Sequence, residues 1–512
     1  MGRVNGALFL ITILLFNSVF ATSAFAVEKE ERKWQDESIY FLMVDRFANG
    51  DSSNDQFIDT QDPLAYHGGD FKGIQDRLDH IDDMGFTTML LTPIFQNEEG
   101  GFHGYWIEDF YETEDHFGSI DEFKQLVDAA HERGIKVILD FVVSYTGPNH
   151  PWVSDSKKED WYHEESPMDN DLDHVQNEWI DGLPALNTEN PEVSEYLFDA
   201  AKWWIEETDI DGYRLNNVEH VTADFLTEFS QEVKSVKENF YLIGEVYGNE
   251  IGEIATYANP GIDGFLDFPL AEQMRSAFKN VDQSTSSLFN YWDDSQQFIE
   301  NPYLMGNFID NQEMSRFTRL AADENMFPGT RWELATAFMF TVPGIPIMYY
   351  GSEIALDGGE GPDNIPLMDF NVDEELKDYI SDLGRLRQEL PALTRGSLDV
   401  LHNDHGMLVY KREYQDEIII IAINNTSTTQ KVTLSDEELR NDGELRGLLG
   451  GDLVRENNGN YDIVLDREVA EIYALTDKVG FNYWLLSAVA VVWIFFISLF
   501  IYMKKRGKRN QQ

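Results

Sequence analysis

The sequence predicts an α/β fold: a (β/α)8 barrel with a domain inserted after strand 3, a C-terminal antiparallel β-sandwich and one C-terminal transmembrane helix. Three observations support this. Apolar runs alternate with helical patterns between residues 38 and 395, as in parallel βα units. Short strands of alternating polarity follow them. Near the end, about 19 consecutive residues carry no charge, which is enough to cross a bilayer as a helix.

The apolar runs are the candidate barrel strands, and eight strands close such a barrel. A helix between two of them shows clear signals, since Ser119 and Glu122 form a capping box and Gly134 ends the apolar face. We assign residues 27–144 and 201–395 to the barrel. The candidate strands are 39–44, 87–91, 137–143, 212–215, 241–244, 264–268, 304–309 and 345–349.

Two further segments differ from the barrel in composition and in their apolar pattern. Residues 145–200 are too many for an ordinary βα loop and are rich in Asp, Pro, Asn and Trp, so we predict a small inserted domain beside the site. Residues 396–476 contain short alternating strands such as 417–424, which indicate a β-sandwich.

Both ends of the chain resemble membrane signals. Arg3, an apolar run and a small-x-small site at 24–26 predict a signal peptide over residues 1–26. The uncharged stretch 484–502 has aromatic residues at its ends and precedes the basic tail 503–512. By the positive-inside rule the tail is cytoplasmic and the rest extracellular. We therefore expect a single-pass protein of the cell membrane.

The composition restricts the possible partners. The formal net charge is −55, and polyanion binding needs clustered Lys and Arg, so nucleic acid is excluded. The chain has no cysteine, so the fold is stabilised without disulfides. Such an acidic surface also suggests a saline habitat. The oligomeric state stays open.

Several motifs resemble one enzyme family. The stretch 210–221 contains Arg214 and Asn216 at the end of a candidate strand, and Glu245 ends the next strand. The motifs at 39–47, 67–73, 101–106 and 343–351 lie in matching order. Together they resemble the α-amylase family, glycoside hydrolase family 13. The resemblance implies a TIM barrel with a domain B at 145–200 and a domain C at 396–476.

The resemblance also implies catalytic roles. This family cleaves α-glucosidic bonds with two carboxyl groups about 5 Å apart. Glu245 matches its acid/base and Arg214 the arginine that keeps the nucleophile ionised and oriented, but Asn216 occupies the place of the nucleophilic aspartate. Glu313 occupies the place of a third carboxylate, with one more methylene. An amide is a far poorer nucleophile than a carboxylate.

Sugar-binding positions follow from the same resemblance. They are Phe102, His103, Trp106, Tyr145 and Gln312. Tyr145 and Gln312 differ from the family pattern, which has histidine at both places. Aromatic rings at these positions would stack on sugar faces.

Calcium is the expected cofactor, in one of two places. The family's site between barrel and domain B needs ligands that Ser144 and Ala185 replace, so we expect that site to be lost. A second loop resembles a bacterial calcium loop, although an ordinary polar turn has the same composition. Its candidate ligands are Asn49, Asp51, Asn54, Asp55, Gly68 and Asp70.

Three functions fit these observations. The first is a membrane-anchored extracellular α-amylase-like protein that has lost most glycosidase activity and holds α-glucan or maltodextrin. The second is an active retaining hydrolase or transglycosylase with rearranged catalysis, in which Glu313 or an unrecognised carboxylate is the nucleophile. The third is a non-enzymatic accessory ectodomain for a membrane partner. The amide at Asn216 favours the first.

Overall fold

The computed structural model describes residues 31–164, 182–248, 250–258, 261–371, 375–439, 443–477 and 491–501. The predicted signal peptide and the basic tail lie outside these residues. The chain divides into two units, and Lys33–Leu475 form the larger one. The smaller unit, Met1–Arg32 with Thr476–Gln512, includes a helix over 491–501.

The strands of the described residues are numbered in chain order. They are β1 Ile39–Leu42, β2 Thr88–Leu91, β3 Phe95–Asn97, β4 Ile107–Thr113, β5 Lys136–Val142, β6 Gly212–Asn216, β7 Tyr241–Gly244, β8 Gly264–Phe265, β9 Gly306–Phe308, β10 Ile345–Tyr349, β11 Ser397–Asp404, β12 Met407–Tyr414, β13 Glu417–Asn424, β14 Gln430–Ser435, β15 Glu444–Gly447, β16 Leu453–Arg455, β17 Asn460–Leu465 and β18 Val469–Thr476.

The helices surround the barrel or connect its strands. The α-helices of the larger unit are Val44–Phe47, Phe71–Asp76, Leu78–Asp83, Ile120–Glu132, Pro191–Thr208, Ala223–Val236, Ile251–Ala255, Phe268–Phe278, Ser286–Phe298, Phe317–Asp323, Pro328–Thr341, Glu375–Glu389, Pro391–Arg395 and Asp436–Leu439. Short 3-10 helices are Trp34–Asp36, Pro151–Ser154, Glu159–Trp161, Val218–His220, Pro302–Leu304 and Ser352–Ile354.

Eight strands form the barrel in the order β8-β7-β6-β5-β2-β1-β10-β9, and the pairs are parallel. A parallel bridge between Leu266 and Gly306 joins the two edges of the sheet and closes it. Strands β1, β2, β6, β7 and β10 are buried throughout, as expected where helices cover a parallel sheet. All eight predicted strands overlap these elements.

The inserted segment leaves the barrel after β5 and returns through the helix Pro191–Thr208. Backbone bridges Tyr145↔Ala185 and Tyr162↔Leu186 join its two described ends. Residues 165–181 of this predicted domain lie outside the described residues.

The C-terminal region packs a six-stranded sheet against the pair β14-β17. Alternation along β12 assigns the two faces: Leu408 and Tyr410 join the barrel core, whereas Met407 and Val409 face a separate core with β14 and β17. Successive side chains of a strand point to opposite faces of its sheet, so β12 is buried on both faces. The barrel and the C-terminal domain agree with the predicted fold.

The transmembrane helix is the part of the predicted fold that is wrong. In the described portion of the chain, no helix combines the length and the apolar character needed to span a bilayer. The described helix at 491–501 rises about 16 Å, against a hydrocarbon core of about 30 Å. Residues 484–490 and 502 of the expected span lie outside the described residues. The single-pass membrane localisation depended on this helix and is wrong with it.

Candidate functional site

The candidate site lies at the carboxyl ends of adjacent barrel strands, where β/α barrels place reactive groups. The β5-β6 register pairs Val142 with Asn216, and the β6-β7 register pairs Leu215 with Gly244. The backbone N–H of Glu245 then donates to Leu215 O (2.9 Å). Asp140, Arg214, Asn216 and Glu245 therefore meet at one edge.

Arg214 bridges two carboxylates at the base of this site. Its guanidinium donates to Asp140 Oδ2 and to Glu245 Oε1, and all three side chains are fully buried. Burial alone would lower the pKa of Arg214, but the charges of Asp140 and Glu245 raise it. Removing one member would leave a buried charge without its partner, which typically costs 3–5 kcal/mol.

Asn216 is held by two hydrogen bonds. Its Nδ2 donates to Glu245 Oε2 (2.7 Å), and its Oδ1 accepts from the hydroxyl of Tyr145 (3.0 Å). An amide can donate and accept in this way, whereas an ionised carboxylate has no donor. The amide is thus fixed in one orientation by its neighbours.

Glu245 is surrounded by donors. Besides Arg214 and Asn216, the hydroxyl of Tyr247 donates to its Oε1 (3.2 Å). Burial raises the pKa of Glu245, and the charge of Arg214 opposes this rise. A buried carboxyl group with a raised pKa is suited to acid–base chemistry near neutral pH.

Glu313 and Gln312 follow β9 and line the mouth of the site. Gln312 Nε2 donates to the hydroxyl of Tyr105 (3.2 Å), which itself donates to Asp140 Oδ2 (2.7 Å). The walls of the cleft and the charge of Glu245 raise the pKa of Glu313. The Glu313 side chain is exposed, so water offsets part of this effect.

The aromatic positions differ in their access to a ligand. The ring of Phe102 is only 5% exposed and lies under the guanidinium of Arg46, 4.1 Å from its centroid. His103 sits edge-on between Phe102 and Trp106; burial and Arg46 lower its pKa to about 4. His103 and Trp106 are half-buried. Tyr145 is buried against Asn216, so its hydroxyl is used inside the protein.

Several buried polar atoms of the site have no hydrogen-bond partner among the described residues. Such atoms are rare in folded proteins and call for a ligand or water. They are Asp140 Oδ1, Ser144 Oγ, Arg214 Nε, Glu219 Oε2, Asn311 Nδ2 and Gln312 Oε1. A polyhydroxylated ligand would supply both donors and acceptors to this set.

The sequence candidates did not include five polar residues of the site, namely Tyr105, Asp140, Tyr247, Glu219 and Asn311. Tyr105 lies inside the motif at 101–106 and Asp140 inside the candidate strand 137–143, so their positions could have identified them. Tyr247 and Asn311 lie in loops after β7 and β9, where no periodic pattern predicts the direction of a side chain. Glu219 lies inside the motif at 210–221, in the 3-10 helix after β6, so its position could also have identified it.

The first calcium position has lost its carboxylate. Ser144 and Ala185 lie on the paired backbones that join the inserted segment, where Leu186 N donates to Ser144 O (2.8 Å). A hydroxyl and a methyl group replace the side-chain ligands there. Calcium needs six to eight oxygens, so these residues do not fit the family's ion.

The second calcium position fits an ion in part. Asn49 Nδ2 and Asp55 Oδ1 converge on Gly68, where a Cβ would come within 2.8 Å of either atom. Asn54 Oδ1 is buried without a hydrogen-bond partner. Asp70 instead accepts backbone N–H groups of Gly50 and Asp51. Among the described residues no group of three acidic or histidine side chains is placed for a metal, so amide and carbonyl oxygens would have to complete the site.

Family models match most of the chain. Residues 41–388 match the α-amylase catalytic domain, and residues 396–473 match the α-amylase C-terminal domain. Among named relatives, a β/α-amylase of Paenibacillus polymyxa is 34% identical over 86% of this chain, which spans 38% of that relative's length. A cyclomaltodextrinase of a Bacillus species is 32% identical over 77% of this chain and 73% of its own.

Solved structures give closer matches. The crystal structure of an Anoxybacillus α-amylase is 57% identical with a TM-score of 0.87, covering 88% of this chain and 100% of that one. The acarbose complex of a Geobacillus thermoleovorans α-amylase is 52% identical with a TM-score of 0.85 and the same coverage.

These matches correct the favoured functional interpretation. The sequence favoured a membrane-anchored protein with lost glycosidase activity because of Asn216. The relatives instead carry the names of enzymes, and the membrane helix is not found in the described residues. That interpretation is wrong, and the findings favour the alternative of an enzyme.

Proposed function

Because the chain belongs to the α-amylase family of glycoside hydrolases, we propose that it is an enzyme that hydrolyses or transfers α-glucosidic bonds of α-glucans such as maltodextrins. The observation that supports this most is Glu245, a buried carboxyl group at the end of β7 with a raised pKa. It is held by Arg214, Asn216 and Tyr247. A cleavage reaction needs a proton donor of this kind.

Because residue 216 is an amide, the nucleophilic carboxylate of a retaining mechanism must come from another residue. Asn216 cannot form the glycosyl ester of a retaining mechanism, because its neutral amide is a weak nucleophile. Glu313 is the exposed carboxyl group whose pKa responds to the charge of Glu245. We assign the nucleophile to Glu313.

The two glutamates interact through their charges. The charge of Glu245 raises the pKa of Glu313, and two carboxyl groups that interact strongly share one proton across a range of pH. In that state one group donates a proton while the other is an anion. Burial raises the pKa of Glu245, and the cleft walls around the exposed Glu313 act in the same direction, which moves this range towards neutral pH.

The reaction then proceeds in two balanced steps. Glu245 transfers its proton to the glycosidic oxygen as the bond from that oxygen to the anomeric carbon breaks. Glu313 attacks the anomeric carbon and forms an ester. Water, or a sugar hydroxyl in transfer, then gives its proton to Glu245 and displaces Glu313.

The substrate class is supported by the relatives and by the polar lining. One relative is named a cyclomaltodextrinase, and one similar structure holds acarbose. Within this chain, Asp140 Oδ1 and Gln312 Oε1 have no hydrogen-bond partner among the described residues. Both residues bond the hydroxyl of Tyr105, which lies between half-buried His103 and Trp106 in the chain. Rings and unpaired polar groups together suit sugar faces and hydroxyls.

Turnover of maltoheptaose tests the proposal. We expect the unmodified chain to release reducing ends and Glu245→Gln to lose at least about 100-fold in rate, since general acid catalysis contributes 10²–10⁴. Glu228→Gln, an exposed change on the helix Ala223–Val236, is the matched control and should keep full activity. No turnover by the unmodified chain, or equal rates in all three proteins, would contradict the proposal.

We also propose that the loop around Gly68 binds one calcium ion. The unpaired Asn54 Oδ1 and the side chains of Asn49 and Asp55 would hold it, with backbone carbonyls completing the coordination. Asp51 is a further candidate ligand, whereas Asp70 supports the loop by accepting its N–H groups. The ion would stabilise the loop and take no part in the reaction.

A further inference from the structure

Phe57 is an exposed aromatic residue that the proposed reaction does not use. It is 93% exposed, so its ring adds almost nothing to the packing of the fold. Its backbone lies in the left-handed region, at a φ of +60°, which is an outlier for a bulky residue. Glycine would adopt this conformation without strain. An exposed ring on a strained backbone indicates a contact with a molecule outside the chain.

The loop that carries Phe57 is fixed on both sides of this residue. The carbonyl oxygen of Gln56 accepts the Nε2–H of His116 (2.8 Å), and the N–H of Asp59 donates to Tyr66 O (3.0 Å). The ring of His116 stacks on the ring of Tyr66, with centroids 3.8 Å apart. The backbone at Phe57 is therefore set by the fold before a ligand arrives, which lowers the entropy cost of binding.

The exposed ring stands at the edge of an open pocket. Phe57, Tyr66 and His116 line this pocket together with the segment 96–100, and its volume is about 410 Å³. Pockets that bind small molecules usually measure roughly 300–1,000 Å³. The pocket is therefore large enough for a ligand that lies against the Phe57 ring.

The charge of the lining disfavours an anionic ligand. Glu98, Glu99, Glu114 and Asp115 line the pocket, and among the described residues neither lysine nor arginine does so. Such a lining repels anions such as phosphate groups. Glu99 and Asp115 are exposed, and an ionised carboxylate accepts hydrogen bonds from hydroxyl groups. A ring beside carboxylates suits a sugar unit, which has an apolar face and hydroxyl groups at its rim.

The pocket lies directly behind a wall of the reaction cleft. Asn97 lines the pocket, and its Oδ1 accepts the N–H of Trp106 (2.8 Å). The N–H of Glu98 donates to Trp106 O (2.9 Å), and a Cβ on Gly100 would lie 3.9 Å from the Trp106 ring. Because Trp106 is a sugar-binding candidate of the cleft, this continuity favours the same ligand, an α-glucan, over an unrelated cation.

We propose that this pocket is a second α-glucan site, separate from the site of bond cleavage. The ring of Phe57 stacks on the face of one glucose unit, and the carboxylates of Glu99 and Asp115 accept hydroxyl groups of the same glucan. A second site raises the effective concentration of a long glucan at the cleft. The inference rests on the proposed function, because it takes the substrate of the cleft as the ligand.

Calorimetry with a sulfur-linked maltotriose, which resists cleavage, tests the second site on the full chain. This short ligand occupies the two sites separately, so we expect the unmodified chain to bind two equivalents. Phe57→Gly should bind only one, because its pocket loses the stacking ring and binds at least about tenfold more weakly. Phe57→Trp keeps a ring and should bind two. The matched control Phe327→Ala removes a ring that is 75% exposed outside the pocket lining, and it should also bind two.

The melting temperature separates this contact from a structural role. Phe57→Gly removes the strain of the left-handed backbone but gives the unfolded chain more freedom, and these two effects oppose each other. The melting temperature should therefore stay within about two degrees of that of the unmodified chain. A ring that stabilised the fold would instead lower the melting temperature when it is removed.

The outcomes distinguish this inference from the proposed function. If maltoheptaose is cleaved but the unmodified chain and Phe57→Gly bind the same number of equivalents, the second site is wrong and the proposed function stands. If the unmodified chain neither binds the trisaccharide nor cleaves maltoheptaose, the proposed function is wrong and this inference falls with it. Should Phe57→Gly not fold, the same count on Phe57→Asn decides, because asparagine tolerates a positive φ and has no ring.

Discussion

At residue 216 an amide makes two hydrogen bonds that an ionised carboxylate could not make together, one to Glu245 and one from Tyr145. The change from the family's aspartate therefore alters the state of Glu245 as well as removing a nucleophile. A donor on Oε2 favours the anion of Glu245, whereas the burial of Glu245 favours its acid.

Asn216→Asp tests this view of the residue. The new carboxylate would lie about 2.7 Å from Glu245 Oε2, where two like charges cannot both ionise. We expect hydrolysis of maltoheptaose to rise at least about tenfold, because a second nucleophile becomes available. The melting temperature should fall at pH 8 and recover at pH 5, since a carboxyl with a raised pKa destabilises the fold when ionised.

A matched control separates charge from position. Asn217→Asp adds the same charge one residue later, at a φ of +50° that aspartate tolerates. It should leave the rate within about threefold. Equal rates for the unmodified chain and Asn216→Asp would show that the amide does not limit the reaction.

At the scale of secondary-structure elements, the helix Phe268–Phe278 is capped by the buried carboxyl group of Asp267. Asp267 accepts the N–H of Leu270 (3.0 Å) and the hydroxyl of Tyr291, and burial raises its pKa to about 7. Its folded pKa exceeds the unfolded value of 3.8, so stability is full below about pH 4 and decreases as pH rises to about 7.

Asp267→Asn should remove this dependence while keeping the oxygen that caps the helix. The penalty at pH 8 is of order 4 kcal/mol at most, from 1.36 kcal/mol per pKa unit. We expect urea unfolding to show a more stable variant at pH 8 and little difference at pH 4. Asp293→Asn, an exposed change on the next helix, should change the stability at neither pH. A variant destabilised at both pH values would contradict the buried-charge account.

The loop around Gly68 gives a prediction for metal removal. If calcium binds there, a chelator should lower the melting temperature by a few degrees and added calcium should restore it, because a ligand at 100 times its dissociation constant stabilises by about 2.7 kcal/mol. Asp55→Asn should reduce this response, whereas Asp83→Asn, at an exposed position outside the loop, should not. The same melting curve with and without chelator would exclude the ion.

The sequence predicted helices and strands better than it predicted contacts between side chains. The eight barrel strands follow from buried apolar runs, and the helix Ile120–Glu132 follows from its capping box, which the structure confirms. The burial of Phe102 under Arg46 does not follow, because Phe102 lies in a loop without a repeating pattern and Arg46 in a helix of only four residues. The transmembrane helix was wrong because hydropathy and flanking charges were its only basis.

At the scale of the larger unit, the barrel and one face of the C-terminal sheet share a core. Leu408, Tyr410, Ile419 and Ile421 pack with barrel residues, and Arg331 NH1 donates to Asn425 Oδ1 (2.6 Å). The C-terminal sheet therefore covers barrel surface, and we expect the two to unfold together.

The net charge of −55 should make this stability depend on salt. Repulsion among like charges opposes the compact state and is screened as ions are added. We expect the melting temperature to rise between about 0.05 M and about 1 M sodium chloride, where the Debye length falls to about 3 Å. A constant or falling melting temperature would contradict this expectation.

We propose that Glu313 replaces the missing nucleophile, and trapping the covalent intermediate tests this role most directly. A fluorinated maltosyl fluoride would form the ester but release it slowly, and mass spectrometry of the digested protein would locate the sugar. We predict a label on the peptide that contains Glu313 and none in Glu313→Gln. A label on another side chain, or neither label nor turnover in the unmodified chain, would contradict the claim.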